Sequence, residues 1–210
     1  MCFSAQASFG ASLFLFGIGY VSFKNIKSKD LWPLAAIPLM FAIQQAFEGF
    51  VWLSQMGTIP KTFALAKYGF MFFAFAVWPF WMPFTCWRLE KNTTRKKSLF
   101  YLLLIGSTVS ITLLIQTMLG VNVIASCSHI SYSLQTAYGW NETLFALGIY
   151  AVAVIAPLLI STYKNIWIFG LMTSLTLLLT MAFFWYFLIS VWCFFAAIVS
   201  AFIYLLVRKK

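Results

Sequence analysis

Apolar segments of about membrane length follow one another along almost the whole of this chain, and Lys and Arg cluster after every second one. Seven segments are read, at 4–23, 31–55, 63–87, 98–119, 142–163, 166–184 and 185–207. A helix needs about 20 predominantly apolar residues to cross a bilayer. The sixth and seventh are divided near FFWYF on length alone, because about 40 apolar residues are too many for one span. Lys24, Lys27 and Lys29 follow the first segment, and Arg88, Lys91, Arg95, Lys96 and Lys97 follow the third. Lys164 follows the fifth, and Arg208, Lys209 and Lys210 end the chain. With seven spans, 12 of the 14 basic residues fall on one side, leaving Lys61 and Lys67 on the other. Six or eight spans would spoil this alternation.

The expected fold class is therefore all-α: one polytopic domain over residues 1–210, with the N-terminus outside and the C-terminus cytoplasmic by the excess of Lys and Arg in cytoplasmic loops. The expected location is the cell's inner (plasma) membrane. Only 9% of residues are charged, against about 25% in soluble domains. The net charge of +10 accordingly reads as orientation in the bilayer rather than as a nucleic-acid footprint. No basic leader followed by a small-residue cleavage site is evident, so the first segment is expected to be retained. The longest loop, 120–141, contains no Lys or Arg and is expected outside.

Ionisable groups within a membrane are costly and mark candidate sites. One acid lies well inside a span: Glu48, in FAIQQAFEGFVW. Gln44, Gln45, Glu48 and Trp52 are related by three- and four-residue steps and share one helix face, within an arc of about 100°. With Ser8 from the first segment and Lys67 from the third, they form the candidate binding set. The first expectation is a proton-sharing Glu48 hydrogen-bonded to Gln, Ser or Tyr side chains of a neighbouring helix. The second is an ion pair with Lys67. A carboxylate that only helps helices pack is the plainer alternative. Gly49 beside the acid permits close helix approach.

A second candidate group uses Cys2, Cys127, His129 and Cys193. Cys2 and Cys127 are both expected outside, where an oxidising environment favours a disulfide between a very short N-terminus and the longest outer loop. The same residues could instead bind zinc or copper, although Cys-x-His spacing alone is a weak signal. Free packed thiols are the third option. A further reading makes Cys2, exposed by Met removal, an N-terminal nucleophile. Ser4, Ser8 and Ser12 on the first segment, Thr173, Thr176 and Thr180 on the sixth, and Ser190, Cys193, Ala197 and Ser200 on the seventh read as small-residue packing stripes. Pro79 and Pro83, one turn apart, should kink the third. Trp32, Trp87, Trp140 and Trp185 fall near the predicted interfaces.

MCFSAQASF at the start, QQAFEGFVW, SHISY and SVWCFFAAIVS together resemble an uncharacterised bacterial family of small seven-helix membrane proteins that open with MCFSA-x-ASF. The resemblance runs from the first residues to the last helix. It implies a seven-helix topology and directs attention to Cys2, Glu48, His129 and Cys193, without assigning roles or an activity. Two other seven-helix classes fit poorly. A retinal protein needs a lysine midway along its last helix, and the seventh segment has none before its terminal RKK. A ceramidase-like zinc hydrolase needs several histidines and an intramembrane Asp, and this chain has one histidine.

The expected function is binding of a small molecule or ion within the membrane, as a sensor or small transporter, in an outward-facing polar pocket around Glu48. The alternative is a metal- or thiol-dependent redox protein using the Cys/His group. The expected partners are the lipid bilayer and an unidentified small molecule or ion, with no nucleic acid.

Overall fold

A computed structural model describes residues 4–59, 64–126, 129–135 and 140–208. Seven helices among them are long and apolar enough to cross a membrane: Ala5–Lys24, Lys29–Gln55, Ala64–Leu89, Thr93–Leu119, Asn141–Ile160, Ile166–Phe183 and Trp185–Val207. These follow the seven segments read from sequence. Several are built from more than one element, which we label in chain order: α1 (Ala5–Lys24), α2 (Trp32–Gln55), α3 (Ala64–Met71), α4 (Trp78–Leu89), α5 (Thr93–Leu119), α6 (Trp140–Ile160), α7 (Ile166–Phe183), α8 (Leu188–Ser200) and α9 (Ile203–Val207).

The helix ends follow local chemistry. The Ser4 hydroxyl caps α1 by accepting from the Ala7 N–H at 3.2 Å. Asn92 caps α5 by accepting from the Arg95 N–H at 3.0 Å. This cap starts α5 five residues before the apolar segment begins, so that Arg95, Lys96 and Lys97 lie within the helix.

The third span is not one regular helix. A π-helical stretch, Phe72–Val77, joins α3 to α4, and the Trp78 N–H reaches back five residues to the Phe73 carbonyl. Pro79 follows, in the first turn of α4. In a continuous α-helix its ring would clash with the Phe75 carbonyl and its missing N–H would leave that carbonyl unserved. The widened turn restarts the helix with proline where it is tolerated. The predicted distortion is thus present, spread over the turn before Pro79. Pro83 likewise cannot donate to the Pro79 carbonyl. Gly106 of α5 packs there, at a spot where any Cβ would collide with the Pro79 oxygen.

The all-α reading needs one addition. Part of the longest loop, 120–141, forms an antiparallel hairpin, β1 (Val121–Ser126) and β2 (His129–Leu134), with Val121 opposite Leu134 and Ser126 opposite His129. Ile130 and Tyr132 alternate inward along β2 and are buried. Gly120, at φ 141°, makes the turn into β1, and its carbonyl accepts from the Gln135 N–H at 3.1 Å.

α2 is the central helix, and the span it belongs to, Lys29–Gln55, is the most buried of the seven. The apolar interior divides into two clusters. One, towards the basic-loop end, gathers Leu34, Ile37, Phe41, Met82, Phe169 and Ile203 among others. The second, under the hairpin, includes Val51, Trp52, Phe70, Met71, Ile130 and Tyr132. Along α2, the residues between the two clusters include Gln44, Gln45 and Glu48, all buried. The outward faces carry large exposed apolar side chains such as Leu13, Phe16, Phe145 and Leu178, as lipid-facing helices do.

Candidate functional site

Glu48 faces the bundle interior and is 2% exposed. The Ser190 hydroxyl of α8 donates to its Oε1. One turn back on α2, the Gln45 amide approaches the same carboxyl but makes no hydrogen bond of good geometry with either of its polar atoms. Gln44 Oε1 accepts from the Trp78 indole at 2.7 Å. Its Nε2 lies near the Cys193 thiol without a well-formed bond. Cys193 and Tyr132 are within electrostatic reach of Glu48. The group therefore draws on α2, α4, α8 and β2.

The other predicted residues divide. Trp52 belongs to the apolar cluster under the hairpin, and Ser8 is buried on α1. Ser12, one turn on, donates to the Ala42 carbonyl at 2.8 Å, so the serine face of α1 packs on α2. The alternative of a Lys67–Glu48 ion pair is not realised. Lys67 instead donates to the Val121 carbonyl at 2.9 Å and lies over the Tyr68 ring. A short reach to a strand-start carbonyl keeps the ammonium near the end of the bundle and avoids burying it beside the acid. Among the described residues the one salt bridge is between Arg88 and Asp30, at 3.6 Å.

Cys2 and Cys127 lie outside the described residues, so their disulfide and their part in a metal site stay as expectations. The His129 ring stacks on Phe187 at 4.7 Å and packs against Phe184. Cys86 and Cys193 are free and buried. No three His, Cys, Asp or Glu residues among those described are grouped to hold a metal ion.

Sequence reasoning missed a large cleft. Its volume is about 1190 Å³, and α5, α6, β2 and the start of the last span line it. α5 and α6 meet towards the basic-loop end, where the Arg95 guanidinium donates to the Ile160 carbonyl at 2.7 Å. The lining positions lie in their other halves, at 104–116 on α5 and 142–150 on α6. Ala74 and Phe75 of the π-helical stretch also line the cleft, and the Tyr150 hydroxyl donates to the Ala74 carbonyl. Cys193 and Tyr132 belong both to the cleft wall and to the surroundings of Glu48. Glu48 itself does not line the cleft, so the expected open pocket around it is instead a closed polar group behind an apolar cleft.

Tyr132 is one of the two residues that the cleft and the polar group share. Its ring stacks on Phe70 at 4.7 Å, and its buried hydroxyl has no hydrogen-bond partner among the described residues. Burial, with the nearby Glu48 carboxyl and Cys193 thiol adding to it, pushes this phenol well above its ordinary pKa and keeps it a proton donor.

A second buried acid, Glu90, lies at the far end. Its Oε1 accepts from the Lys91 and Asn92 N–H groups and from the Thr162 hydroxyl, and its Oε2 accepts from the Thr162 N–H at 2.7 Å. It clasps the α4–α5 loop to the α6–α7 loop. Burial alone would raise its pKa, but the bonds from Thr162, Asn92 and Lys91 outweigh that and lower it.

Fold and polar group together define a seven-helix protein of bilayer dimensions with a carboxyl sealed between two apolar clusters. The chain belongs to the family of unknown function DUF6629, whose profile matches residues 1–210. No curated protein and no solved structure matches it.

Proposed function

We propose that this protein lies in the cell's inner membrane, with its N-terminus and hairpin outside and its C-terminus in the cytoplasm, and binds a lipid-soluble small molecule in the cleft. The observation that carries this reading is the cleft's size and position. At about 1190 Å³ it exceeds the usual 300–1000 Å³ of small-molecule sites, and it lies between helices, where such sites form. Its wall is shared with the neighbours of Glu48, so an occupant can lie against Tyr132 and Cys193, which border the polar group. The charge split between the loops supports the orientation.

Native mass spectrometry of protein purified in a mild detergent tests the binding. A non-covalent adduct is expected on the wild type and is expected to disappear in Ala146→Trp, which fills the cleft wall, at unchanged melting temperature. No adduct, or an adduct equally populated in both, sinks the reading. The redox alternative depends on Cys2 and Cys127, and metal analysis of the purified protein separates it from this one.

A further inference from the structure

We propose that the two loops joined at the basic end of α5 and α6 bind the headgroup of an anionic phospholipid, through Lys91, Arg95 and Lys164. This rests on the membrane location proposed above and goes beyond the cleft, which lies in the opposite halves of the same helices.

The first observation is that the fold brings these three cations together. Glu90 accepts from the Lys91 N–H and from both the N–H and the hydroxyl of Thr162. Lys164 follows Thr162 by two residues on the same loop. Arg95 joins them by donating to the carbonyl of Ile160, the last residue of α6, at 2.7 Å. Asn92, which caps α5 at the Arg95 N–H, also donates to Glu90. The backbone segments that carry the three cations are thus tied to one carboxylate and cannot drift apart to relieve repulsion.

The second observation is the charge left over. The chain has four acids. Glu48 is buried in the interior, and Glu142 lies in the first turn of α6, at its other end. Asp30 pairs with Arg88. Only Glu90 remains to offset the three cations, and its oxygens are occupied by hydrogen bonds from the loops. Among the described residues no carboxylate pairs with Lys91, Arg95 or Lys164, and all three are exposed. A phosphate fits them, because the Arg fork and flexible Lys ammonium groups both bind phosphate oxygens.

The third observation points to a lipid rather than a soluble phosphate. Phe100, Tyr101, Leu104 and Ile105 are exposed within three turns of Arg95 along α5. Trp167, three residues after Lys164, is half exposed, and Lys96 lies over the Trp87 ring. Tryptophans at this depth mark a membrane–water interface. A headgroup held by the cations therefore lays its acyl chains on an apolar surface, and basic sites between spans are where acidic headgroups bind.

The experiment titrates the purified full-length protein in a mild detergent with dioleoylphosphatidylglycerol or with dioleoylphosphatidylcholine. The two carry the same chains, and native mass spectrometry counts the bound lipid. The wild type is expected to prefer the anionic lipid, and the preference to shrink as salt is raised. A cation near a headgroup contributes about fivefold. Lys91→Gln with Lys164→Gln should therefore weaken the anionic lipid about 25-fold and leave the other unchanged. Neither side chain makes a bond among the described residues, so the melting temperature should hold; if it falls, Lys164→Gln alone is read, with a loss of about fivefold expected. Lys24→Gln with Lys27→Gln removes the same charge from the loop after α1 and should cost less than about threefold, because distant charges are screened. Equal losses in the two pairs, or no preference in the wild type, would overturn the proposal. Displacement of the lipid by excess glycerol 3-phosphate would overturn its lipid character. Ala146→Trp, which fills the cleft wall, should keep the preference. If the preference is lost there and kept without Lys91 and Lys164, the lipid lies in the cleft, and this inference fails while the cleft reading stands.

Discussion

Glu90 offers the most quantitative test of how the helices are held. It receives four hydrogen bonds, two from its own loop and two from Thr162, which is 72 residues away. Bonds to a charged acceptor are worth about 1.5–3 kcal/mol each. Lys91, Asn92 and Thr162 are exposed residues, so water can serve some of the donors once the carboxylate is gone. Counting mainly the two long-range bonds, Glu90→Ala should cost about 3 kcal/mol. For a chain of this length about 2–4 °C of melting temperature accompanies each kcal/mol, which gives a fall of roughly 6–12 °C. Glu90→Gln should cost part of this, because it puts an amide where one carboxylate oxygen accepted. The pH dependence has a definite sign. The folded-state pKa is lowered, so the stabilisation is fully present above the unfolded value of about 4.3 and is lost as pH falls through the lower, folded value. The gap between wild type and Glu90→Ala should therefore be constant from about pH 6 to 8 and close in acid below about pH 4. Loss of helical circular dichroism on heating in detergent measures it. A Glu90→Ala melting temperature within 2 °C of wild type, or a gap that widens in acid, would refute this reasoning.

A reporter fused after Lys210 should be cytoplasmic, while a tag inserted between Val123 and Ile124 should be reached from outside intact cells. Both on one side would mean an odd error in the number of spans. If Cys2 and Cys127 are bonded, labelling the unfolded, unreduced protein should modify two of its four cysteines, Cys86 and Cys193; four labelled thiols would disprove the bond. Glu48→Gln should melt within about 2 °C of wild type, since its amide oxygen can still accept from Ser190; a larger loss would show that the carboxyl itself is needed for folding.

The seven spans and the inward direction of Glu48 were legible because both depend on hydropathy: apolar runs mark spans, and a lone acid within one has to face protein. What escaped depended on contacts remote in sequence. Ser190 was read as part of a packing stripe, and nothing local to it announces a carboxyl 142 residues away. The hairpin did leave a trace in the alternation of HISYSL, but a six-residue pattern in a polar loop is a weak signal. The π-helical stretch was foreshadowed only as a kink at Pro79 and Pro83. The cleft had no signature at all, because its walls come from helices whose separation depends on where they touch at the opposite end. Glu90 lies among basic loop residues and has no local signature, since its burial follows from the fold of the loop itself.

Burying a charged side chain at the centre of a span costs about 2.5–3.5 kcal/mol, and interhelical hydrogen bonds in membranes average only about 0.6 kcal/mol. The bond from Ser190 therefore offsets a small part of the cost of Glu48. The surroundings add to the cost, because Gln44 Nε2, both polar atoms of Gln45 and the Tyr132 hydroxyl are buried without well-formed hydrogen bonds among the described residues. If the group served packing alone, apolar side chains of similar size would serve better. Removing Glu48 alone does not test this, since it strands the Ser190 hydroxyl; Glu48→Leu should lose about 1–3 kcal/mol for that reason. Replacing the set together does. Glu48→Leu with Gln45→Leu and Ser190→Ala removes donors and acceptors at once, and apolar replacement of buried polar groups is often neutral or stabilising by about 1–4 kcal/mol. The triple variant is expected to melt at or above the wild-type temperature and to carry less of the cleft adduct followed by native mass spectrometry, because the polar groups beside Tyr132 and Cys193 have gone. A triple variant that is less stable than Glu48→Leu would mean that the polar layer holds the helices together, and equal binding would mean that it does not act on the cleft.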